Sequence, residues 1–168
     1  MGAALFAAIV MATQVATGAS HHSHIRTQDE RSQDLIAMAV DRSTAFRQLL
    51  DRLDRSSIVV YVEFGACPGR ADACLHFVAA APPYMYLRAT IARFVAWDAV
   101  LAGLIAHELG HACELADAGV MTLEEFKGFY AGHGRLGSAG YETDAAIAAG
   151  VVVERETSSR KRRTARGS

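Results

Sequence analysis

The stretch LIAHELGHACELA, from Leu104 to Ala116, contains two histidines four residues apart and a glutamate directly after the first histidine. In an α-helix, residues i and i+4 differ by about 40° around the axis and about 6 Å along it, so His107 and His111 project side by side. Apolar residues precede the motif and can bury this helix, and Asp98 and Gly119 suit its beginning and end. We therefore predict a helix that presents two imidazoles to one metal ion.

Glu108 follows the first histidine and is displaced from it by about 100° around the helix. At that position a carboxylate can accept a proton from a water molecule that the metal acidifies, without itself occupying the metal. The motif is typical of zinc sites, so we predict a zinc ion with Glu108 as the general base.

A third protein ligand is expected, because catalytic zinc sites usually have three. The metzincin pattern HExxHxxGxxH would place it at Asp117, but Glu114 replaces the glycine that turns the chain there, so Asp117 is expected to face elsewhere. Glu142 precedes small residues that would let a second helix approach the first closely. These small residues are Ala145, Ala146 and Ala149. We favour Glu142 as the third ligand, with His133 and Asp117 as open alternatives.

The segments before the motif predict an α+β domain. Helical spacing of apolar residues between positions 35 and 53 indicates two short helices, with Ser43 as an N-cap between them. Three β-branched or aromatic segments then predict a small sheet: Ser56–Phe64, Ala73–Ala80 and Pro83–Ala92.

Two more helices are expected after the motif helix. Thr122 and Glu125 form a capping-box pattern at the start of one, and Gly132 is expected to end it. The other is predicted over residues 141–156, so that Glu142 would lie in its first turn.

The composition and the terminal segments indicate how many domains the chain forms and where the domain begins and ends. A chain of 168 residues, 51% hydrophobic and with a formal net charge of −1, fits one globular domain and gives no case for a nucleic-acid partner. Residues 1–19 predict a signal peptide for a secreted or periplasmic protein, too short to remain as a membrane span. Residues 20–30 are predicted to be a flexible leader, residues 31–156 the domain, and residues 157–168 a basic disordered tail.

The cysteines are interpreted in the light of export, because an oxidising compartment allows disulfides. Cys67 and Cys74 bracket the turn-rich stretch CPGRADAC, so we expect them to be bridged. Cys113 is two residues beyond His111, a turn of about 200°, and is expected to be a buried free thiol.

At these residues the chain resembles the gluzincin branch of zinc metallopeptidases, in which HExxH on one helix is completed by a glutamate on a later helix. From Arg42 to Glu156 it is also similar to a family of small, predicted-secreted bacterial proteins of zincin-like type. The similar segments are RSTAFRQLLDRLDRSSIVVYVEF, the loop between Cys67 and Cys74, YLRATIARF, IAHELGHACELA and YETDAAIAAGVVV. The resemblance implies a minimal zincin-like fold, with a small sheet packed on the HExxH helix and zinc bound by His107, His111 and Glu142.

The resemblance carries two further implications and one departure. It implies that the strand Pro83–Ala92 pairs with an extended peptide substrate. In the thermolysin-like pattern an aspartate four residues after the glutamate supports a ligand histidine, and Ala146 stands at that position here.

A metallopeptidase also needs a donor for the developing oxyanion, for which Tyr130, His133 and Tyr141 are candidates. We favour Tyr141, because it adjoins Glu142.

The expected function is therefore a zinc-dependent hydrolase, a metallopeptidase for a peptide or protein substrate, with Glu108 and Tyr141 as catalytic residues. The alternative is a non-catalytic zincin-like module that uses the metal or the remaining pocket for binding or for structure. A purely structural zinc would not need Glu108 and would have a fourth protein ligand.

Overall fold

The computed structural model describes residues 24–93, 97–136 and 141–164, which form the mixed α+β fold that the sequence predicted. The helices are α1 (Glu30–Arg42), α2 (Thr44–Asp54), α3 (Asp98–Asp117), α4 (Leu123–His133) and α5 (Asp144–Thr164). The strands are β1 (Ile25–Arg26), β2 (Ile58–Gly65), β3 (Ala73–Ala81), β4 (Tyr84–Ala92), β5 (Arg135–Leu136) and β6 (Tyr141–Glu142).

The main sheet has four strands in the order β1, β2, β4, β3. β2 pairs in parallel with β1 and with β4, whereas β3 runs antiparallel to β4 at the edge. Because β4 has a partner strand on each side, its backbone groups are used within the sheet. The expectation that Pro83–Ala92 pairs with substrate is therefore wrong, and β3 is the edge strand next to it.

The motif helix α3 lies at the centre of the fold. It packs against β2, β3 and β4 on one side and contacts α1, α2 and α5 on others. Ile105 and Leu109 are completely buried, as are Leu87 and Val60 on the facing strands. Because α3 is apolar on nearly every side, burial in the core is its most stable position.

Small residues let α3 and α5 approach closely, as the sequence predicted. A Cβ placed on Gly110 of α3 would stand 3.0 Å from the Cα of Ala146 and 3.3 Å from the Cβ of Ala149. Ala145 is exposed and takes no part, whereas Gly150, one turn further along α5, is buried in the contact. This packing fixes the chain that leads into α5 against the motif helix.

Glu142 lies on a strand and not in a helix. It belongs to β6, which pairs with β5 in a two-stranded sheet, and α5 begins two residues later at Asp144. The hydroxyl of Thr143 accepts a hydrogen bond from the backbone N–H of Ala146 at 3.2 Å, as an N-cap does. The prediction of a helix from Tyr141 was wrong because this cap starts the helix later.

Other helix ends agree with the sequence in part. Ser43 caps α2, the capping box of α4 is present, and Gly119 after α3 has a φ of 68°, which glycine adopts readily. Trp97 is the N-cap of α3, so Asp98 is the first helical residue and not the cap. Helix α4 continues past Gly132 to His133.

The predicted termini need correction. β1 pairs with β2, and Asp29 caps α1 by accepting a hydrogen bond from the N–H of Ser32 at 2.8 Å, so the leader is ordered from His24 onward. Helix α5 extends to Thr164 and so includes much of the predicted tail. The predicted signal peptide lies outside the described residues. Within the described ranges, no helix combines the length and the apolar character that a bilayer span requires.

The predictions for the cysteines are confirmed. Cys67 and Cys74 form a disulfide that closes the loop between β2 and β3. Cys113 is a buried free thiol, and burial raises its pKa to about 11. The thiol therefore stays protonated at neutral pH, which does not suit a metal ligand.

Candidate metal centre

His107, His111 and Glu142 lie together where β6 meets α3. Each residue offers one ligand atom within 4.8 Å of the other two. Oε2 of Glu142 is 2.9 Å from Nε2 of His107 and 3.8 Å from Nε2 of His111. Two imidazole nitrogens and one carboxylate oxygen are a donor set found at catalytic zinc sites, so these residues could hold zinc.

The carboxylate of Glu142 fits a cation at this position. Its Oε2 is buried and has no hydrogen-bond partner among the described residues. A buried carboxylate oxygen whose close polar neighbours are imidazole nitrogens needs a proton or a cation between them, and a cation bound between the three side chains would offset the cost of its burial. The residues present therefore fit a divalent metal ion.

His111 is held by polar groups on the side away from Glu142. Its Nδ1 lies 3.2 Å from Oε2 of Glu114, and the hydroxyl of Thr143 donates to the same oxygen at 2.8 Å. Burial, followed by the charge of His107, lowers the pKa of His111 well below its ordinary value. The imidazole is therefore neutral near pH 7, which is the form that binds a metal.

Glu108 is buried in α3 beside the first of these histidines, with 3% of its surface exposed. Burial, and to a smaller extent the charge of Glu142, raises the pKa of Glu108 to about 8. A cation held at the three-residue cluster would act in the opposite direction and favour the carboxylate form. A bound cation would therefore favour the carboxylate form of Glu108, which is the form that a general base requires.

The two alternative third ligands lie elsewhere. Asp117 forms an ion pair with Arg52 at the end of α3. His133 is exposed on α4, where its Nδ1 lies 3.0 Å from the carbonyl oxygen of Phe129. Of the three candidates, the fold brings only Glu142 to the paired histidines among the residues that the structure describes.

The two candidate tyrosines differ in accessibility. Tyr130 is buried, and its hydroxyl donates to the backbone carbonyl of His111 at 3.4 Å. Tyr141 stacks on the ring of Tyr130 with centroids 6.2 Å apart and is 41% exposed. Tyr130 therefore supports α3 at His111, whereas Tyr141 is accessible from solvent.

Glu114 and Thr143 also belong to this site, although neither is among the residues predicted from the sequence. A usable signal was present, because Glu114 lies three residues after His111 and so on the same helix face. Thr143 directly follows Glu142 and is a residue type that commonly caps a helix. Their contact joins α3 to the start of α5.

A comparison of the chain with known protein families, with curated proteins and with solved structures finds no match.

Proposed function

We propose that this protein is a zinc-dependent hydrolase, specifically a metallopeptidase of zincin-like type. The observation that carries the proposal is the buried Oε2 of Glu142, which has no hydrogen-bond partner among the described residues and faces the Nε2 atoms of His107 and His111. The HExxH spacing adds a buried carboxylate, Glu108, beside this cluster. A purely structural site would not need that carboxylate.

Each residue has a chemical role in this proposal. Zinc held by the three ligands would supply a water molecule of lowered pKa and would polarise the substrate carbonyl. Glu108 accepts the proton from water at its carboxylate and returns it to the leaving amine. Tyr141 is the proposed donor to the developing oxyanion, because it is exposed and its ring stacks on that of Tyr130, which packs against the ring of His111.

The proposed location is outside the cytoplasm, in the periplasm or the medium, with a peptide or protein as substrate. The disulfide between Cys67 and Cys74 supports this location, because disulfides persist in oxidising compartments. The apolar run near the N-terminus is consistent with it.

The test compares zinc-loaded wild type with Glu108→Gln on a broad set of peptides. We expect cleavage by the wild type and a loss of turnover of about 100-fold or more in Glu108→Gln, the size that general acid–base catalysis supplies. Zinc content should stay unchanged, because Glu108 is not a ligand. Glu124→Gln, an exposed carboxylate in the first turn of α4, is the matched control and should keep full activity.

Two results would overturn the proposal. Unchanged turnover in Glu108→Gln would remove this residue from the mechanism. If zinc-loaded wild type cleaves no peptide, protein or ester, and a fourth protein ligand closes the metal, a non-catalytic metal-binding module replaces the hydrolase.

A further inference from the structure

Glu114 contacts a metal-ligand candidate and a second element of the fold through one oxygen. Its Oε2 lies 3.2 Å from Nδ1 of His111 and accepts a hydrogen bond from the hydroxyl of Thr143 at 2.8 Å. Because an ionised carboxylate oxygen can only accept hydrogen bonds, the nitrogen that faces it must be the protonated one. That leaves Nε2 of His111, the atom facing Glu142, free of a proton and able to bind a metal.

The environment makes this contact stronger than an ordinary helix-surface pair. The side chain of His111 is 5% exposed and that of Glu114 is 19% exposed. Pairs three residues apart on an exposed helix face contribute little, because water competes for both partners. Here both partners are largely removed from water, so loss of the carboxylate would leave the imidazole N–H without its acceptor.

Thr143 extends the contact to the third ligand. It directly follows Glu142, and its hydroxyl also caps α5 by accepting from the N–H of Ala146. The hydroxyl donates its one proton in the hydrogen bond to Glu114, and its oxygen accepts the hydrogen bond from the N–H of Ala146. The same hydroxyl therefore contacts α3 and caps α5. The position of the chain at Glu142 is thereby tied to the helix that carries the two histidines.

We infer that Glu114 is a positioning residue, which fixes the Nδ1–H tautomer of His111 and, through Thr143, aligns Glu142 with it. The inference rests on the proposed metal site for its purpose, but the tautomer itself does not depend on a metal. In the thermolysin-like pattern an aspartate at the position of Ala146 would support a ligand histidine. Ala146 is completely buried against α3 and has no carboxylate, so here the carboxylate that contacts His111 comes from Glu114 on α3 itself. Ligand histidines generally need such a partner, whose removal costs about 10-fold to 100-fold in metal affinity.

The first measurement uses metal-free protein labelled with ¹⁵N in its histidines. Two-bond ¹H–¹⁵N correlation spectra at neutral pH identify which ring nitrogen of His111 carries the proton. We expect Nδ1–H in the wild type and an increased Nε2–H population in Glu114→Leu. A wild-type His111 that is protonated at Nε2 overturns the inference without any variant, and so does an unchanged tautomer population in a folded Glu114→Leu protein.

The second measurement is zinc affinity by chelator competition. We expect the Kd for zinc to rise about 10-fold to 100-fold in Glu114→Leu and by a smaller factor in Thr143→Val. The double variant should lose less than the product of the two factors, because both substitutions break one linked contact. Thr157→Val removes a buried hydroxyl from the same helix, bonded only to backbone carbonyls, and should leave the Kd unchanged.

The outcomes separate this inference from the proposed function. A wild type that binds no zinc but shows the Nδ1–H tautomer, lost in Glu114→Leu, refutes the metal site and supports the positioning contact. A wild type that binds zinc with unchanged affinity in both Glu114→Leu and Thr143→Val keeps the metal site and refutes the positioning role.

Discussion

Gly150 of α5 lies directly against His107 of α3, at a distance where a Cβ on the glycine would stand 3.2 Å from the Cβ of the histidine. The same Cβ would stand 2.9 Å from the backbone oxygen of Gly103, closer than real Cβ atoms come to backbone. This approach sets the spacing of α3 and α5, and therefore the reach of Glu142 toward the two imidazoles.

Gly150→Ala is expected to destabilise the protein and to weaken zinc binding. Alanine improves intrinsic helix propensity by up to about 1 kcal/mol, but overpacking against backbone costs about 1–3 kcal/mol. The clash is with a backbone oxygen that cannot move alone, so the cost should exceed the gain. Urea unfolding of metal-free protein measures the first effect, and chelator competition measures the second.

Gly128→Ala is the matched control for this substitution. Gly128 lies inside α4, and a Cβ there would meet no atom within 4 Å. Without a clash, the higher helix propensity of alanine should raise the free energy of unfolding by roughly 0.5–1 kcal/mol. If both variants are stabilised equally, close packing does not determine the spacing of α3 and α5.

The proposed metal site gives a second prediction. Purified protein should hold one zinc per chain, and His111→Ala and Glu142→Ala should each weaken zinc binding about 10-fold or more, because each removes a ligand. His133→Ala should bind zinc like the wild type, since that side chain is exposed on α4. Elemental analysis and chelator competition measure these values. A wild type that holds no zinc after incubation with excess metal contradicts the site.

The cysteines give a third prediction. Replacing both Cys67 and Cys74 by serine should lower the free energy of unfolding by about 2–3 kcal/mol, the value expected for a short loop. In the wild type one thiol, Cys113, should react with a thiol reagent, and only after denaturation, because it is buried with a pKa of about 11. Three reactive thiols in denatured protein that was purified without a reductant would contradict the disulfide.

Acid stability gives a fourth prediction. Oε2 of Glu156 accepts hydrogen bonds from the hydroxyl of Ser43 at 2.6 Å and from the N–H of Ala45 at 3.2 Å. The Ser43 hydrogen bond is the main cause that lowers the pKa of Glu156 below 4.5. A carboxyl whose pKa is lowered by folding stabilises the folded state above its unfolded pKa, and this contribution is lost as the pH falls through the folded pKa.

The free energy of unfolding should therefore decrease as the pH falls below about 4.5. This decrease should be smaller in Glu156→Gln than in the wild type. Asp51 is an exposed carboxylate on α2, so Asp51→Asn is the control and should show the same decrease as the wild type. Urea titrations between about pH 3 and pH 7 measure both. Identical pH dependence in the wild type and Glu156→Gln would show that the contact at Ser43 does not contribute.

Features that depend on residues close together in the chain could be predicted from the sequence. The alignment of His107 and His111 follows from helix geometry, which is set within one turn. The cap at Ser43 and the capping box at Thr122 depend on neighbouring residues only, and the disulfide joins cysteines that a short turn already brings together. Each of these predictions is confirmed because the interactions lie close in sequence.

Contacts between distant parts of the chain were decided by the tertiary structure. Pro83–Ala92 was expected to pair with substrate, but its inner place in the sheet depends on where β3 returns, which no local pattern specifies. The sequence favoured Glu142 over two rivals without excluding them, and the fold brings it to the histidines by packing small residues of α5 against α3. The role of Glu114 became visible only when Thr143, 29 residues later, was found on the same oxygen. Sequence alone specifies which side chains share a helix face, whereas long-range packing decides which distant carboxylate and hydroxyl meet them.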